Sequence, residues 1–490
     1  MAVREQTSHE IRPEVPACSC YKDHRPTPPP DPYSWAYCAC GNHAVHPLTR
    51  MGEGFVTRVK NVDVVVVGAG PGGCAAALGL ARGGAQVLVL EPRVDRTSHF
   101  AGEWLHPAGV AALDRLGVEL RPPDFIRNKG FVLHPGGGQP PIPLPYEGGT
   151  AATGPHHALV RRLQDALARQ TGVQLATGQR FLQLASDGEC LTDGGLVTAG
   201  LVVGADGRGS TVRRALRRDP APLVTLSHMA GLILSHVPLP AEGFGHVFLG
   251  GPGPALAYRI APELIRLTLD VPLSRPGPHQ VRRYLEQRFT PHLPEEMATA
   301  LCTRLRHGDV QWAANSFHRR ADFGHGNVAL VGDAAGHGHP LAAQGMTCAL
   351  LDAECLAAHN SLEEYRRLRI AQSRVPERVA AAVHRVFTAQ DRATAALRQS
   401  LIGRWHTAPR ERARTLRLLG LEETRRTAFS GSVAGIAVGA LVRAVDDEHH
   451  DLFDSLTVIG GLARWLVWLS GPRVGIPPRS PARKVALLGP

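Results

Sequence analysis

The sequence predicts an α/β fold: a parallel-sheet domain assembled from separated segments, an inserted β-sheet domain, and a helical C-terminal region. Three observations carry this. Val62–Val67 is a valine-dominated run, the mark of a strand buried on both faces, and a glycine-rich turn follows it directly. Similar short strands recur far downstream at Leu201–Val203 and Val328–Val331. Between them, residues 219–317 read as strands punctuated by Pro and Gly, whereas most of 361–470 reads as helix.

Residues 1–57 stand apart. They hold the run Pro26-Thr27-Pro28-Pro29-Pro30-Asp31-Pro32 and no periodic apolar pattern, so the expectation is a disordered extension. Cys18 and Cys20, Cys38 and Cys40, with His24 and His43 nearby, raise a zinc site. Structural zinc more often uses a wider cysteine spacing than C-x-C, and no metal is assigned. Met51, just ahead of the first strand, offers an alternative start, and residues 1–50 are expected to be dispensable.

From there the elements follow in order. Val62–Val67 leads into Gly68-Ala69-Gly70-Pro71-Gly72-Gly73, then a helical stretch to Arg82, then a second strand, Gln86–Leu90. Gly68 allows the tight turn, Gly70 lets the backbone approach a diphosphate, and Gly73 permits close helix–strand packing. The helix N-terminus presents free N–H groups to phosphate, and Glu91 can accept both hydroxyls of a ribose. This is a Rossmann-type dinucleotide unit. Helices are expected at His157–Gln170 and Gly345–His359.

Gly204-Ala205-Asp206-Gly207-Arg208 follows the strand Leu201–Val203; Asp206 serves either the cofactor or the next helix as its cap. Val331-Gly332-Asp333-Ala334-Ala335-Gly336 ends another buried strand. There Asp333 can accept a hydrogen bond from the ribityl chain of a flavin. Gln344-Gly345-Met346-Thr347 then opens a helix whose N-terminus stabilises negative charge on a reduced flavin pyrimidine. These motifs give a domain plan: residues 58–218 with 318–385 bind FAD, 219–317 form the substrate domain, and 386–490 are the helical region.

The formal charge of +11 rests on arginine, since only Lys22, Lys60, Lys129 and Lys484 are lysines. No basic block or nucleic-acid-reading motif accompanies it, so no nucleic-acid partner is expected. The N-terminus lacks an apolar signal region, and nine cysteines form no disulfide framework, which fits a cytoplasmic setting. No uninterrupted apolar run reaches the roughly 20 residues of a spanning helix. Leu456, Ile459, Leu462, Leu466 and Leu469 repeat at helical spacing beside Trp465 and Trp468, so peripheral membrane contact is expected there.

Together the three motifs resemble the FAD-dependent monooxygenases of the para-hydroxybenzoate hydroxylase fold, and within them the squalene epoxidase family. Gly102-Glu103-Trp104-Leu105-His106-Pro107-Ala108-Gly109 is similar to that family's GE-x-L-x-PGG stretch. Tyr258-Arg259 with Asp270-Val271-Pro272 is similar to its substrate-domain strands. His339-Pro340-Leu341 with Gly345-Met346-Thr347 matches its HPL-x-x-x-GMT signature. The resemblance implies FAD contacts at Gly68, Gly70, Pro71, Gly72, Glu91, Asp333 and Met346. Gly73, Asp206 and Gly345 join them from the motifs, and Arg162 replaces a flavin-contacting arginine. Two departures show: His99 stands where the family has arginine, and Ile142-Pro143-Leu144-Pro145-Tyr146 puts leucine at the family's tyrosine position. Tyr146 is the only candidate catalytic side chain.

The implied chemistry is insertion of one atom of O2 into a lipophilic alkene or prenyl chain through a flavin C4a-hydroperoxide. NADPH or a separate reductase supplies the electrons. An aromatic or quinone-ring hydroxylase and a prenyl-chain reductase share the fold. A non-catalytic FAD-fold lipid carrier would not need Asp333 and the GMT loop. No W-x-W-x-I-P of flavin halogenases and no Cys-x-x-Cys beside the flavin appears.

Overall fold

The computed structural model describes residues 60–94, 100–186, 188–216, 223–446 and 452–471. The 1–57 extension, with Met51 and its cysteine pairs, and His99 lie outside the described residues. Among those described, the helices are α1 (Pro71–Arg82), α2 (Pro107–Arg115), α3 (His156–Arg169), α4 (Thr211–Leu216), α5 (Pro278–Phe289), α6 (Glu295–His307), α7 (Gly345–Ala358), α8 (Leu362–Thr388), α9 (Arg392–Thr407), α10 (Pro409–Leu419), α11 (Arg426–Asp446) and α12 (Leu452–Ser470).

The first seven-stranded sheet gathers strands Val173–Thr177, Val87–Glu91, Lys60–Val67, Gly195–Gly204 and Val328–Leu330 side by side, all parallel. Val64–Val67 are buried on both faces, which is why that stretch reads as continuous valine. Parallel pairing puts Val67 beside Leu90 and Gly204, and Gly204 beside Leu330. These five parallel strands therefore end on one edge, where a ligand crevice forms in open α/β sheets. The glycine turn, Glu91, Asp206 and Asp333 all follow these ends. α1 and α7 cover one face at close range: a Cβ on Gly79 would stand 2.7 Å from that of Ala357.

The second sheet runs Gln311–Phe317, Val224–Ser235, Leu264–Pro272, Ala255–Ala261, Gly245–Phe248, Gly130–His134, Ile142–Pro145. Its last two strands come from inside residues 58–218, so the sequence-drawn boundary is corrected there. The alternation of Ile142–Pro145 says that one face is buried but not against which sheet. α5 and α6 close one side of this sheet through Leu285, Phe289, Met297 and Leu301.

The C-terminal region is helical as expected, although α8 runs unbroken through the drawn boundary at 385. Arg426–Val445 is long and apolar enough to cross a membrane by length and composition, with 22% of its apolar window buried. Small residues and one arginine interrupt the apolar run without lowering its average. Of the α12 stripe, Leu456, Ile459 and Leu466 are exposed, whereas Leu462, Leu469 and Trp465 pack inward.

Candidate cofactor and substrate site

The glycine turn is held by backbone. Gly68 has φ +103, and a Cβ there would lie 2.6 Å from the Ala205 carbonyl oxygen. A Cβ on Gly73 would lie 1.9 Å from the Gly68 carbonyl oxygen. Gly70 faces open space, with nothing within 4 Å of where a Cβ would stand. α1 begins at Pro71 with no side chain capping its N–H groups, so they remain available to an anion. Glu91 Oε2 accepts the Ala69 N–H at 2.9 Å, and Gln164 Nε2 donates to the Ala69 carbonyl at 3.3 Å.

Gln164 is the α3 residue at this turn. Arg162, expected to reach the cofactor, instead donates from Nε to the Glu119 carbonyl and lines a surface pocket with Arg121 and Arg169. Two positions along a helix separate the residues by about 200°, so Gln164 and Arg162 stand on opposite sides of α3. Asp206 fulfils the capping reading: Oδ2 accepts the N–H groups of Thr211 at 2.6 Å and Val212 at 3.2 Å. Its Oδ1 is buried without a partner, and its Cα would stand 3.1 Å from a Gly68 Cβ.

Asp333 sits on a tightly clamped turn. Arg213 donates to the Asp333 and Ala334 carbonyls at 3.0 and 2.8 Å, and Arg320 to those of Gly332 and Gly336 at 2.9 and 2.8 Å. Asp352, fully buried, accepts from the Gly332 N–H and from Arg320 and Arg369. Burial disfavours the Arg320 charge, but Asp352 beside it holds its pKa above the usual value. The Asp333 carboxylate pairs with Arg208 at 3.2 Å, and a Cβ on Gly345, at the start of α7, would lie 3.8 Å from its Oδ1. Met346 lies against Gly102, whose Cβ would be 3.7 Å from the Met346 side chain.

The Gly102–His106 stretch is richer in polar contacts than its motif suggests. Glu103 and Arg266 form a buried two-point ion pair at 2.6 and 2.8 Å, tying this stretch to the second sheet. His106 is fully buried, and burial lowers its pKa to about 4, so the ring is neutral. Its Nε2–H donates to the Ala342 carbonyl at 3.0 Å, leaving Nδ1 to accept the Tyr146 hydroxyl at 2.7 Å. Trp104 Nε1 donates to that same hydroxyl oxygen at 3.4 Å. Burial raises the Tyr146 pKa, so its proton stays in place. Sequence reasoning had singled out Tyr146 without His106 as its partner.

A second buried cluster joins the flavin-side loop to the sheet. Asp270 Oδ1 accepts from Ser227 at 2.5 Å and Asn315 at 3.0 Å, and stands 3.4 Å from His339 Nε2. Burial alone would raise the Asp270 pKa; His339, His384 and Ser227 hold it below the usual carboxylate value. The rings of His339 and His384 stack at 3.9 Å. His339 Nδ1 accepts the Leu341 N–H, so its proton lies on Nε2, toward Ser227 and Asp270. The three groups meet within 4.8 Å, but with a protonated nitrogen and parallel rings rather than lone pairs converging on a metal. Nothing in the sequence linked Asp270 to His384; only the fold does.

Beside that loop lies an apolar cavity of about 160 Å³. Leu144 lines it from the second sheet, Leu341 from the loop, Val383 from α8, Trp405 from α9, Ile436 from α11 and Leu466 from α12. The leucine at the expected tyrosine position thus forms cavity wall, while Tyr146 turns to His106.

Comparisons with known proteins agree with this architecture. The squalene epoxidase family model matches residues 198–449, and the FAD-dependent oxidoreductase model matches residues 63–127. A squalene epoxidase of Aspergillus fumigatus is 31% identical, covering 64% of this chain and 69% of the relative. One of Schizosaccharomyces pombe is 27% identical, covering 70% of this chain and 82% of the relative. Squalene epoxidase 2 of Arabidopsis thaliana is 29% identical over 60% of this chain, which spans about half of that relative's length (53%). Among solved structures, p-nitrophenol 4-monooxygenase from Pseudomonas putida superposes with a TM-score of 0.62 at 21% identity, covering 75% of this chain and all of that one (100%). A flavin-dependent brominase gives 0.64 at 16%, covering 77% and 97%. These two likenesses show the fold.

Proposed function

Because this chain belongs to the squalene epoxidase family of FAD-dependent monooxygenases, we propose that it inserts one oxygen atom from O2 into a lipophilic alkene or prenyl chain. The observation that carries the reading is the position of the apolar cavity. Its wall includes Leu341 and Ala342, three and two residues before Gln344, where the chain turns into α7. An alkene needs no protein base to become nucleophilic, only an apolar channel aimed at the oxygen donor.

The residues present fit FAD. Gly68, Gly70, Pro71, Gly72 and Gly73, with the uncapped N-terminus of α1, suit the diphosphate, and the space at Gly70 is where it would pass. Glu91 suits the adenosine ribose, Asp333 the ribityl chain, and Gly345 and Met346 the ring system. Asp206 would serve indirectly, by fixing α4 against the turn. Bound FAD would supply the electron transfer and O2 activation. The chain's own work is to bind, to orient and to exclude water. Burial of His106 and Tyr146 keeps both uncharged, and their hydrogen-bond chain holds the Ala342 carbonyl between flavin loop and cavity.

We place the exposed apolar residues of α11 and α12, among them Val442, Val445, Leu456 and Val467, at a membrane surface, from which a lipid-dissolved substrate reaches the cavity past Leu466.

Turnover under isotopically labelled O2, with terpenes, prenylated quinones and simple phenols offered in turn, tests the reaction. One labelled atom in an epoxide of the alkenes is the expected result. Label confined to phenols would transfer the reading to ring hydroxylation. A colourless protein that cannot be reconstituted with FAD would remove the oxygenase reading altogether.

A further inference from the structure

The Gly204-Ala205-Asp206-Gly207-Arg208 turn holds the backbone of Arg208 in place between strand Gly195–Gly204 and α4. Gly207 takes φ +78, the Ser210 N–H donates to the Gly207 carbonyl at 3.1 Å, and Arg213 Nη2 donates to the Arg208 carbonyl at 2.5 Å. From this anchored position the guanidinium is pinned at two points. Nε donates to Asp333 Oδ2 at 3.2 Å. Nη1 donates at 3.3 Å to the carbonyl of Ala314, on strand Gln311–Phe317 of the second sheet.

Three arginines surround the Asp333 turn, and they act on different atoms. Arg213 and Arg320 bond main-chain carbonyls, as they would whatever side chain stood at 333. Among the described residues, Arg208 alone ion-pairs with the carboxylate. Both partners stay within reach of a ligand, with side chains 43% exposed at Arg208 and 28% at Asp333. The pair uses Oδ2. Oδ1 lies at the start of α7, 3.8 Å from where a Gly345 Cβ would stand. A half-exposed carboxylate left alone samples several orientations and must be stilled when a ligand binds, whereas one already held avoids that cost.

We propose that Arg208 is a positioning residue for the flavin: through Oδ2 it fixes the Asp333 carboxylate so that Oδ1 is presented to the ribityl hydroxyls. This rests on the reading of Asp333 as the ribityl acceptor. A hydroxyl is a neutral donor, and an aimed carboxylate oxygen accepts from it more strongly than a neutral acceptor does. The planar guanidinium fork sets direction as well as charge; a lysine at 208 would supply the charge from a single flexible point. Partly exposed ion pairs add little to the stability of a fold, so the contribution of Arg208 falls on binding.

The test titrates the full chain, freed of flavin, with FAD and separately with ADP, which carries the adenosine and diphosphate but no ribityl chain. Arg208→Ala is expected to weaken FAD binding roughly three- to tenfold, the cost of ordering one side chain on binding. ADP binding and the melting temperature of the flavin-free protein are expected to stay as in wild type. Arg208→Lys is expected to recover only part of the loss. Asp333→Ala is expected to weaken FAD further, and adding Arg208→Ala to it is expected to cost nothing more, because the arginine acts through the carboxylate. Equal losses of FAD and ADP on Arg208→Ala would make Arg208 merely structural and overturn the proposal. So would an undiminished effect of Arg208→Ala in the Asp333→Ala background. If Asp333→Ala weakens FAD and Arg208→Ala does not, the ribityl assignment stands and the proposal alone falls. If Asp333→Ala leaves FAD binding unchanged, the ribityl assignment falls and takes the proposal with it.

Discussion

At the glycine turn, one methyl group added to Gly73 would stand 1.9 Å from a backbone oxygen. At the cavity, the wall is assembled from side chains of the second sheet, one loop and α8 to α12, each free to be exchanged for another of similar size. The first region is fixed by main chain, positive-φ glycines and buried clamps such as Arg320 with Asp352. The second is fixed only by volume. Side chains added at Gly68 or Gly73 would meet backbone, whereas the cavity wall can be altered by exchanging apolar side chains. Two neighbouring positions fall on either side of this divide: Leu144 lines the cavity, and Tyr146 bonds the buried His106.

The sharpest way to break this comparison is at the turn. Gly73→Ala is expected to cost more than about 4 kcal/mol, since backbone rather than a flexible side chain must move, and to abolish flavin retention. Gly70→Ala faces open space and is expected to leave the stability of flavin-free protein within about 0.5 kcal/mol while weakening FAD binding. Chemical denaturation of both variants, with and without FAD, separates the two effects. Equal destabilisation by both would mean that the turn is not held as described.

Acid provides a second lever. His106 has a native pKa of about 4, below its ordinary value of 6.5, so the unfolded state takes up a proton that the native state refuses. Stability is thus present above pH 6.5 and falls as the pH drops from there toward 4, by about 3 kcal/mol for this one group. His337 and His384, lowered to about 4 and about 3 by burial, act in the same direction. His106→Gln is expected to lose about 3 kcal/mol less than wild type between pH 7 and pH 4 in urea titrations. Parallel curves would refute the buried neutral ring.

Smaller again is Tyr146→Phe. It leaves His106 Nδ1 without a donor and is expected to cost about 1–2 kcal/mol, with flavin retained. Smallest for the fold is Val467→Ser, on the exposed face of α12 and away from the cavity wall: stability should change by less than about 0.5 kcal/mol, yet binding to anionic vesicles should fall. Undiminished flotation with vesicles would detach α12 from the membrane proposal.

The same contrast decides what the sequence could show. The places of Gly68 to Gly73, Glu91, Asp333 and the start of α7 around the ends of the parallel strands were legible because a parallel sheet and a tight turn demand particular residues at fixed spacing. Asp206 was ambiguous because a cap and a ligand contact ask for the same carboxylate, and the structure uses it as a cap. Arg162 bonds the Glu119 carbonyl, and it is Gln164, two positions on, that meets the glycine turn, a difference of helix face that spacing alone does not reveal. Gly130–His134 and Ile142–Pro145 joined the second sheet because alternation reveals a buried face but not its partner. The cavity was illegible for a more general reason. Its lining is spread over helices that each look like ordinary amphipathic packing.

The central claim is that the two halves act separately, one holding the flavin and the other choosing what it oxygenates. Val383→Trp, which fills the cavity from α8 without touching the glycine turn, tests it most directly. The measurement is labelled-oxygen incorporation into an alkene at matched, spectroscopically counted bound flavin. The account predicts unchanged flavin content and at least a tenfold loss of incorporation, about 1.4 kcal/mol or more of lost transition-state binding. Full turnover with the cavity filled, or loss of the flavin along with turnover, would contradict it.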